Sequence, residues 1–223
     1  MAGVAAIASV LVTVAAVLVA ARGSAPRREA GARVDRAEQL LDFHAGVQWQ
    51  LGGSLLRAVG LLLVLVVVLR LQGIVTARRP GLPRLLLWAG LLGTVTIALT
   101  TVTGFLALRD VVDAFVAGGP RTVARAQDLV NGAGWLRATR IIELAGHLFF
   151  AIWLAGIALA AMQAELLTGL LGYWGAAAAL AQVALPIGDP LFIGWLASVG
   201  VLLVGYWPGG RPRGWEAEQE RAS

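Results

Sequence analysis

"QLGGSLLRAVGLLLVLVVVLR", Gln50 to Arg70, is the stretch on which the fold turns. Between its ends stand one charged residue, Arg57, and no proline. At about 1.5 Å per residue, a helix of that length reaches across the ~30 Å hydrocarbon layer of a bilayer. The stretch therefore predicts a transmembrane helix, and hydropathy finds five more windows of the same kind. The six expected spans run over 3–21, 50–70, 85–108, 141–163, 166–185 and 190–207. "PIGDP", with Pro186 and Pro190 bracketing Gly188 and Asp189, reads as a tight turn between spans five and six. Gln163 to Glu165 reads as an equally short hairpin between spans four and five. The expected fold class is all-α: a polytopic membrane helical bundle of six transmembrane helices plus an interfacial amphipathic helix. Residues 1–210 would form a single membrane domain, and the polar tail 211–223 is expected to be disordered.

Composition agrees. Of 223 residues, 58% are apolar and 14% charged, with a mean hydropathy of +0.78, whereas soluble domains carry about 25% charged residues. A water-soluble fold of this length cannot hide so much apolar surface. The lack of cysteine excludes disulfides, thiol catalysis and cysteine metal sites. All 18 basic residues are arginine. They are scattered over loops and not gathered on one helix face with interleaved aromatics, so the isoelectric point of about 11.1 does not predict a nucleic-acid partner. The first apolar run lacks a basic n-region, and its ~19 residues exceed the 7–15 of a signal peptide, so it is expected to be retained as a span. Were it cleaved, five spans would remain, with the termini on opposite sides.

Two longer segments separate the spans. After "RGSAPRREAG", the segment "ARVDRAEQLLDFHAGVQW" sets Val34, Leu40, Leu41, Phe43 and Val47 among charges, the pattern of an amphipathic helix lying at the interface before span two. Residues 109–140 contain "VAGGPR", a helix stop and restart. Loops one and three carry five arginines each, so a raw count makes them cytoplasmic. Against this, "RLQGIVTARRPGLPR" packs four arginines into 15 residues without one acid.

"DFHAGVQWQLGGSLLRAVGLLLVLVVVLRLQGIVTARRPGLPR", together with "GHLFFAIWLAGIALAAMQAELLTGLLGYWG", resembles small multi-span membrane proteins of bacterial domain-of-unknown-function families. The resemblance covers most of spans two to six. It implies a cell-membrane, multi-pass protein whose "ARRP" loop and both termini are cytoplasmic, and it brings no activity with it.

In either orientation, six alternating spans put loops one, three and five on one side. That side collects His44, Asp42, Arg57, Asp110, Asp113, Glu143, His147 and Asp189. Glu143 and His147 are one turn apart on span four, with Arg140 near the same stripe. A charge at the bilayer centre costs about 2.5–3.5 kcal/mol, so such groups face protein and pair. Arg57 and Glu143 enter from the same side to similar depth and are expected to face each other. The candidate site is thus a polar intramembrane cluster of Arg57, Glu143, His147, His44, Asp110 and Asp189. Three readings stay open: side chains that snorkel to the headgroups, a structural Arg57–Glu143 pair that fixes helix register, and a working site such as a proton relay. The structural pair leads.

Other chemistry lacks a signature. Two histidines without HExxH, DxD or a histidine tract give no metal site and no cofactor. Ser9, Ser54 and Ser198 sit in apolar helices, and GxSxG is missing, so no catalytic residue is assigned. Thr94, Thr96, Thr100, Thr101 and Thr103 could line a polar path, but threonine hydroxyls in helices more often bond their own i−4 carbonyls. Gly169, Gly172, Gly175, Gly194 and Ser198 offer small surfaces for helix approach, within the chain or to a second copy. Trp49, Trp88, Trp135 and Trp207 fall at span ends as interfacial anchors, and Trp153, Trp174 and Trp195 read as core filler. The lipid bilayer is the expected partner, with a membrane-protein partner or a homodimer as candidates. The leading functional reading is a non-catalytic accessory, sensor or scaffold component of the membrane. The alternative is a small transporter or proton-coupled carrier using the Arg/Glu/His cluster, and a lipid-active enzyme is a weaker third.

Overall fold

The structure, a computed structural model, describes residues 2–22, 35–184 and 188–205. Among these it is all-helical: α1 (Ala2–Arg22), α2 (Arg36–Ala45), α3 (Val47–Arg78), α4 (Arg84–Ala117), α5 (Val123–Gly132), α6 (Gly134–Gln163), α7 (Gly169–Ala184) and α8 (Gly188–Val204). The tail 211–223, Val34, Pro186 and Trp207 lie outside the described residues. The α1, α3, α4 and α6 helices are long and apolar enough to cross a membrane, whereas α7 and α8 are apolar but only 16 and 17 residues long.

The long helices overrun the expected spans because backbone continuity outlasts hydropathy. Span 50–70 belongs to a helix of 32 residues, span 85–108 to one of 34 and span 141–163 to one of 30. Each stops where the chain chemistry demands it. The α3 helix ends ahead of Pro80, and a turn with Leu82 N–H donating to Arg79 C=O at 3.1 Å leads into α4. The α4 helix ends at Gly118 and Gly119, the latter at φ 79°. At the end of α6, Leu166 N–H donates to Ala161 C=O (2.9 Å) and Glu165 N–H to Met162 C=O (3.1 Å). This is the Schellman pattern, with Glu165 at φ 56° in the position glycine usually holds.

The faces of these helices identify their solvent. On α3, Leu55, Val59, Leu62, Val66 and Leu69 are 40–52% exposed and recur at helical spacing. Leu144, Leu148 and Ile152 form a similar exposed stripe on α6. Unbroken apolar stripes on the outside suit a multi-pass membrane protein, since lipid and not water must cover them. Trp49, Trp88 and Trp135 are exposed near helix ends, while Trp153 and Trp195 are fully buried.

The chain divides into two compact units. The first comprises the described residues of Met1–Leu11, Gly60–Thr96 and Leu144–Ser223, and the second Val12–Val59 and Ile97–Glu143. The core of the first unit runs through Val64, Val67 and Leu71 of α3, Leu154 and Ile157 of α6, and Leu171 of α7. Phe192 meets Phe150 edge to face, with centroids 5.0 Å apart, and stacks on Trp195 at 6.3 Å. A Cβ on Gly93 would stand 2.5 Å from Phe150 N and 2.9 Å from Gly146 O, so α4 and α6 meet backbone to backbone there. Gly175 likewise lets the Trp195 indole reach Leu171 C=O, to which its Nε1–H donates at 2.9 Å.

In the second unit the expected amphipathic helix forms as α2. It is capped by Asp35, whose carboxylate accepts from Glu38 N–H at 2.8 Å. Its buried stripe, Ala37 and Leu40, packs on Val112 and Phe115 of α4 and Ala126 of α5. The apolar side of α2 is therefore covered by protein, and the expected restart after "VAGGPR" is a separate short helix that does the covering. Arg125 of α5 closes this corner. Its guanidinium donates to Ala114 C=O (3.0 Å), Phe115 C=O (3.4 Å) and Pro120 C=O (3.5 Å), and lies 5.8 Å from the Phe115 ring centroid. A cation that satisfies the last carbonyls of α4 also complements that helix's negative end.

Candidate functional site

Four helical stripes in the second unit line an open cavity of about 370 Å³. From α3 come Gln50, Gly53, Ser54 and Arg57, the last three standing three, four and seven residues after the first. From α6 come Leu136, Thr139, Arg140 and Glu143, at the same intervals. One helix face recurs at that spacing, so each set lies on one face, and Gln50, Ser54 and Arg57 on α3 and Thr139, Arg140 and Glu143 on α6 make that face polar. Thr100, Thr101 and Gly104 of α4, small residues of α1 and Phe43 of α2 complete the wall. Gln50 Nε2 also donates to Ala20 C=O at 3.3 Å, tying α3 to α1 beside the cavity.

The wall carries two guanidiniums and one carboxylate. Arg57 and Glu143 are half-buried, while Arg140 is exposed. Charged groups inside apolar helices are expensive unless protein or water solvates them, and here a shared polar hollow does so. The threonines contribute less than their number suggests. Thr94 donates to Gly90 C=O (2.8 Å), Thr101 to Ile97 C=O (2.7 Å) and Thr103 to Leu99 C=O (3.0 Å), all four residues back, and Thr100 to Ile97 C=O (3.2 Å), three back. The hydroxyl protons serve their own helix, which leaves Thr100 and Thr101 to present oxygen lone pairs and methyl groups to the cavity.

The six candidate residues read from the sequence fall into separate places. Arg57 and Glu143 line the cavity together. His147 lies one turn beyond Glu143 on α6 but belongs to the first unit. There its Nδ1 is 3.0 Å from Gln182 Oε1, and Gln182 Nε2 donates to Asp189 Oδ1 at 3.4 Å. His147 and Asp189 are thus joined by an amide that nothing in the sequence singles out, the lone glutamine of α7. His44 pairs instead with Asp113 at 3.8 Å, and Arg109 reaches the other oxygen of Asp113 at 3.5 Å. All three side chains of that group are about half exposed, where ion pairs contribute under about 1 kcal/mol. Asp110 is exposed on α4 and does not line the cavity. Gln50 and Thr139 join the site without having been expected there, although the repeated spacing of polar residues on α3 and α6 signals both.

No group of three or more His, Asp or Glu side chains among the described residues is arranged to hold a metal ion. Two fixed cations, one anion and neutral donors and acceptors suit a small anionic or zwitterionic group, and the volume lies within the ~300–1,000 Å³ of small-molecule sites. No protein-family model matches the chain, and no curated protein or solved structure was found to be similar to it.

Proposed function

We propose that the protein is a non-catalytic, ligand-binding component of a membrane, a sensor or accessory subunit, whose second unit binds a small anionic or zwitterionic solute. The observation that carries this reading is the cavity wall itself, on which Arg57, Arg140 and Glu143 gather among neutral polar groups. Its lining includes neither a histidine nor a pair of carboxylates to run acid–base chemistry. In this reading Arg57 and Glu143 pair and fix the register of α3 against α6, and Arg140 contacts the ligand. We further propose six crossings with both termini cytoplasmic, α7 and α8 being the two short spans. Residues such as Leu170, Tyr173 and Leu180 of α7, 67–74% exposed, support contact with lipid.

The test is saturable binding of small carboxylates and phosphates to purified protein, followed by calorimetry or thermal shift. Loss of a charge-assisted hydrogen bond in Arg140→Gln should weaken binding about tenfold or more. Binding that ignores both Arg140→Gln and Arg57→Gln, or no saturable binding of either solute class, would overturn the reading. The carrier reading draws on one specific observation: Glu143 and Arg57 share a cavity wall on helices long enough to span. Solute or proton flux in proteoliposomes that stops in Glu143→Gln would favour it, and undiminished flux in that variant would remove the site from any transport role.

A further inference from the structure

The first unit holds a second feature that the cavity does not explain. The α3–α4 turn presents Arg78, Arg79 and Arg84 around the rigid "PGLP", Pro80 to Pro83, with Arg70 two turns earlier and no acid anywhere in 70–84. The turn itself forms a hollow of about 520 Å³ lined by Arg78, Arg79 and the four residues after them. The same Leu82 and Pro83 also belong to a neighbouring groove of about 560 Å³ between α4 and α6, whose other walls include Trp88, Leu92, Phe149 and Ile152. That groove is almost wholly apolar, and these four side chains are 43–58% exposed. A cationic hollow and an apolar groove thus share a rim.

Arg84 at the foot of the turn also lines a pocket of about 380 Å³ with Gln72, Thr76 and Leu82, so the cationic surface continues along the side of α3.

We infer that this face of the first unit binds an anionic phospholipid. The phosphate lies against Arg79 and Arg84, and one acyl chain occupies the α4–α6 groove. The charge of the turn selects an anion, and the groove requires a chain attached to that anion. Phosphatidylglycerol carries both; phosphatidylcholine carries no net charge. Bidentate guanidinium–phosphate contacts would hold the headgroup. Arg79 also donates to Gln163 at the end of α6.

Full-length protein in neutral detergent is titrated with phosphatidylglycerol, phosphatidylcholine and soluble glycerol phosphate while thermal unfolding and native mass are recorded. Phosphatidylglycerol should bind saturably and raise Tm by several degrees more than phosphatidylcholine. Arg79→Ala with Arg84→Ala should weaken it roughly thirtyfold, at about 1 kcal/mol per arginine. Should that double variant fail to fold, Arg84→Gln alone should weaken binding about fivefold, and Ala89→Trp, which fills the groove, should lower affinity without altering charge. Arg109→Gln, which removes a half-exposed arginine of the second unit, should keep the full preference. The inference fails if the two lipids act alike, if the arginine variants retain the preference, or if glycerol phosphate alone gives the whole effect.

Discussion

Glu165 stands in a left-handed conformation at φ 56° because the chain must reverse between α6 and α7 within a few residues. The two hydrogen bonds that close α6 require that geometry, and a side chain there costs about 1–2 kcal/mol relative to glycine. Glu165→Gly should therefore raise stability by about 1 kcal/mol, visible as a higher Tm in detergent with unchanged helicity; a lower Tm would mean that the side chain makes a compensating contact. This strain was not legible in the sequence, which showed a hairpin but not which residue would take the left-handed position. Gln182 escaped for a different reason. An amide in an alanine-rich helix carries no chemical signature, and only the approach of His147 gives it a role. Arg57 and Glu143, by contrast, were conspicuous as charges among aliphatics, and their stripe partners Gln50 and Thr139 follow once the spacing of three, four and seven is read.

At the scale of elements, close backbone approach decides which helices stay together. Gly93 admits α6 so tightly that any Cβ must push Phe150 N–H or Gly146 C=O, neither of which is a flexible side-chain end. Gly93→Leu should cost more than about 3 kcal/mol, in the range of overpacking with backbone displacement, and should appear as loss of a monodisperse peak in size-exclusion chromatography. Gly73→Ala is the matched comparison, since a Cβ there would meet nothing within 4 Å and the residue sits within α3. It should stabilise by about 0.5–1 kcal/mol through helix propensity alone. If both substitutions behaved alike, helix propensity and not α4–α6 contact would be what Gly93 governs. Hydropathy revealed the helices but not these contacts, because a glycine inside an apolar run reads the same whether it faces lipid or another backbone. It also missed α5, whose "VARAQDLVNG" is too polar for a span and is held by Thr122 at its start and by burial of Ala126 on α4.

At the scale of the whole molecule, a cysteine-free chain makes the proposed topology directly testable, since single introduced thiols label without background. With six crossings, Gly81→Cys should react with an impermeant maleimide only in inside-out vesicles, and Gln127→Cys only in intact cells. Val183→Cys, near the end of α7, should follow Gln127→Cys; following Gly81→Cys instead would make α7 and α8 a hairpin that re-enters without crossing. The four long helices were legible because lipid demands long apolar runs. The two short ones are where hydropathy alone cannot say whether the chain crosses. Their lengths also bear on the surrounding bilayer. Over their described residues, 16 and 17, α7 and α8 rise about 24 and 26 Å, against a ~30 Å hydrocarbon layer. If both cross over these lengths alone, lipids beside them must shorten or tilt their chains, while those beside α3 and α4 do not. The protein would then sit at a step in membrane thickness, and bilayer thickness would set where it gathers.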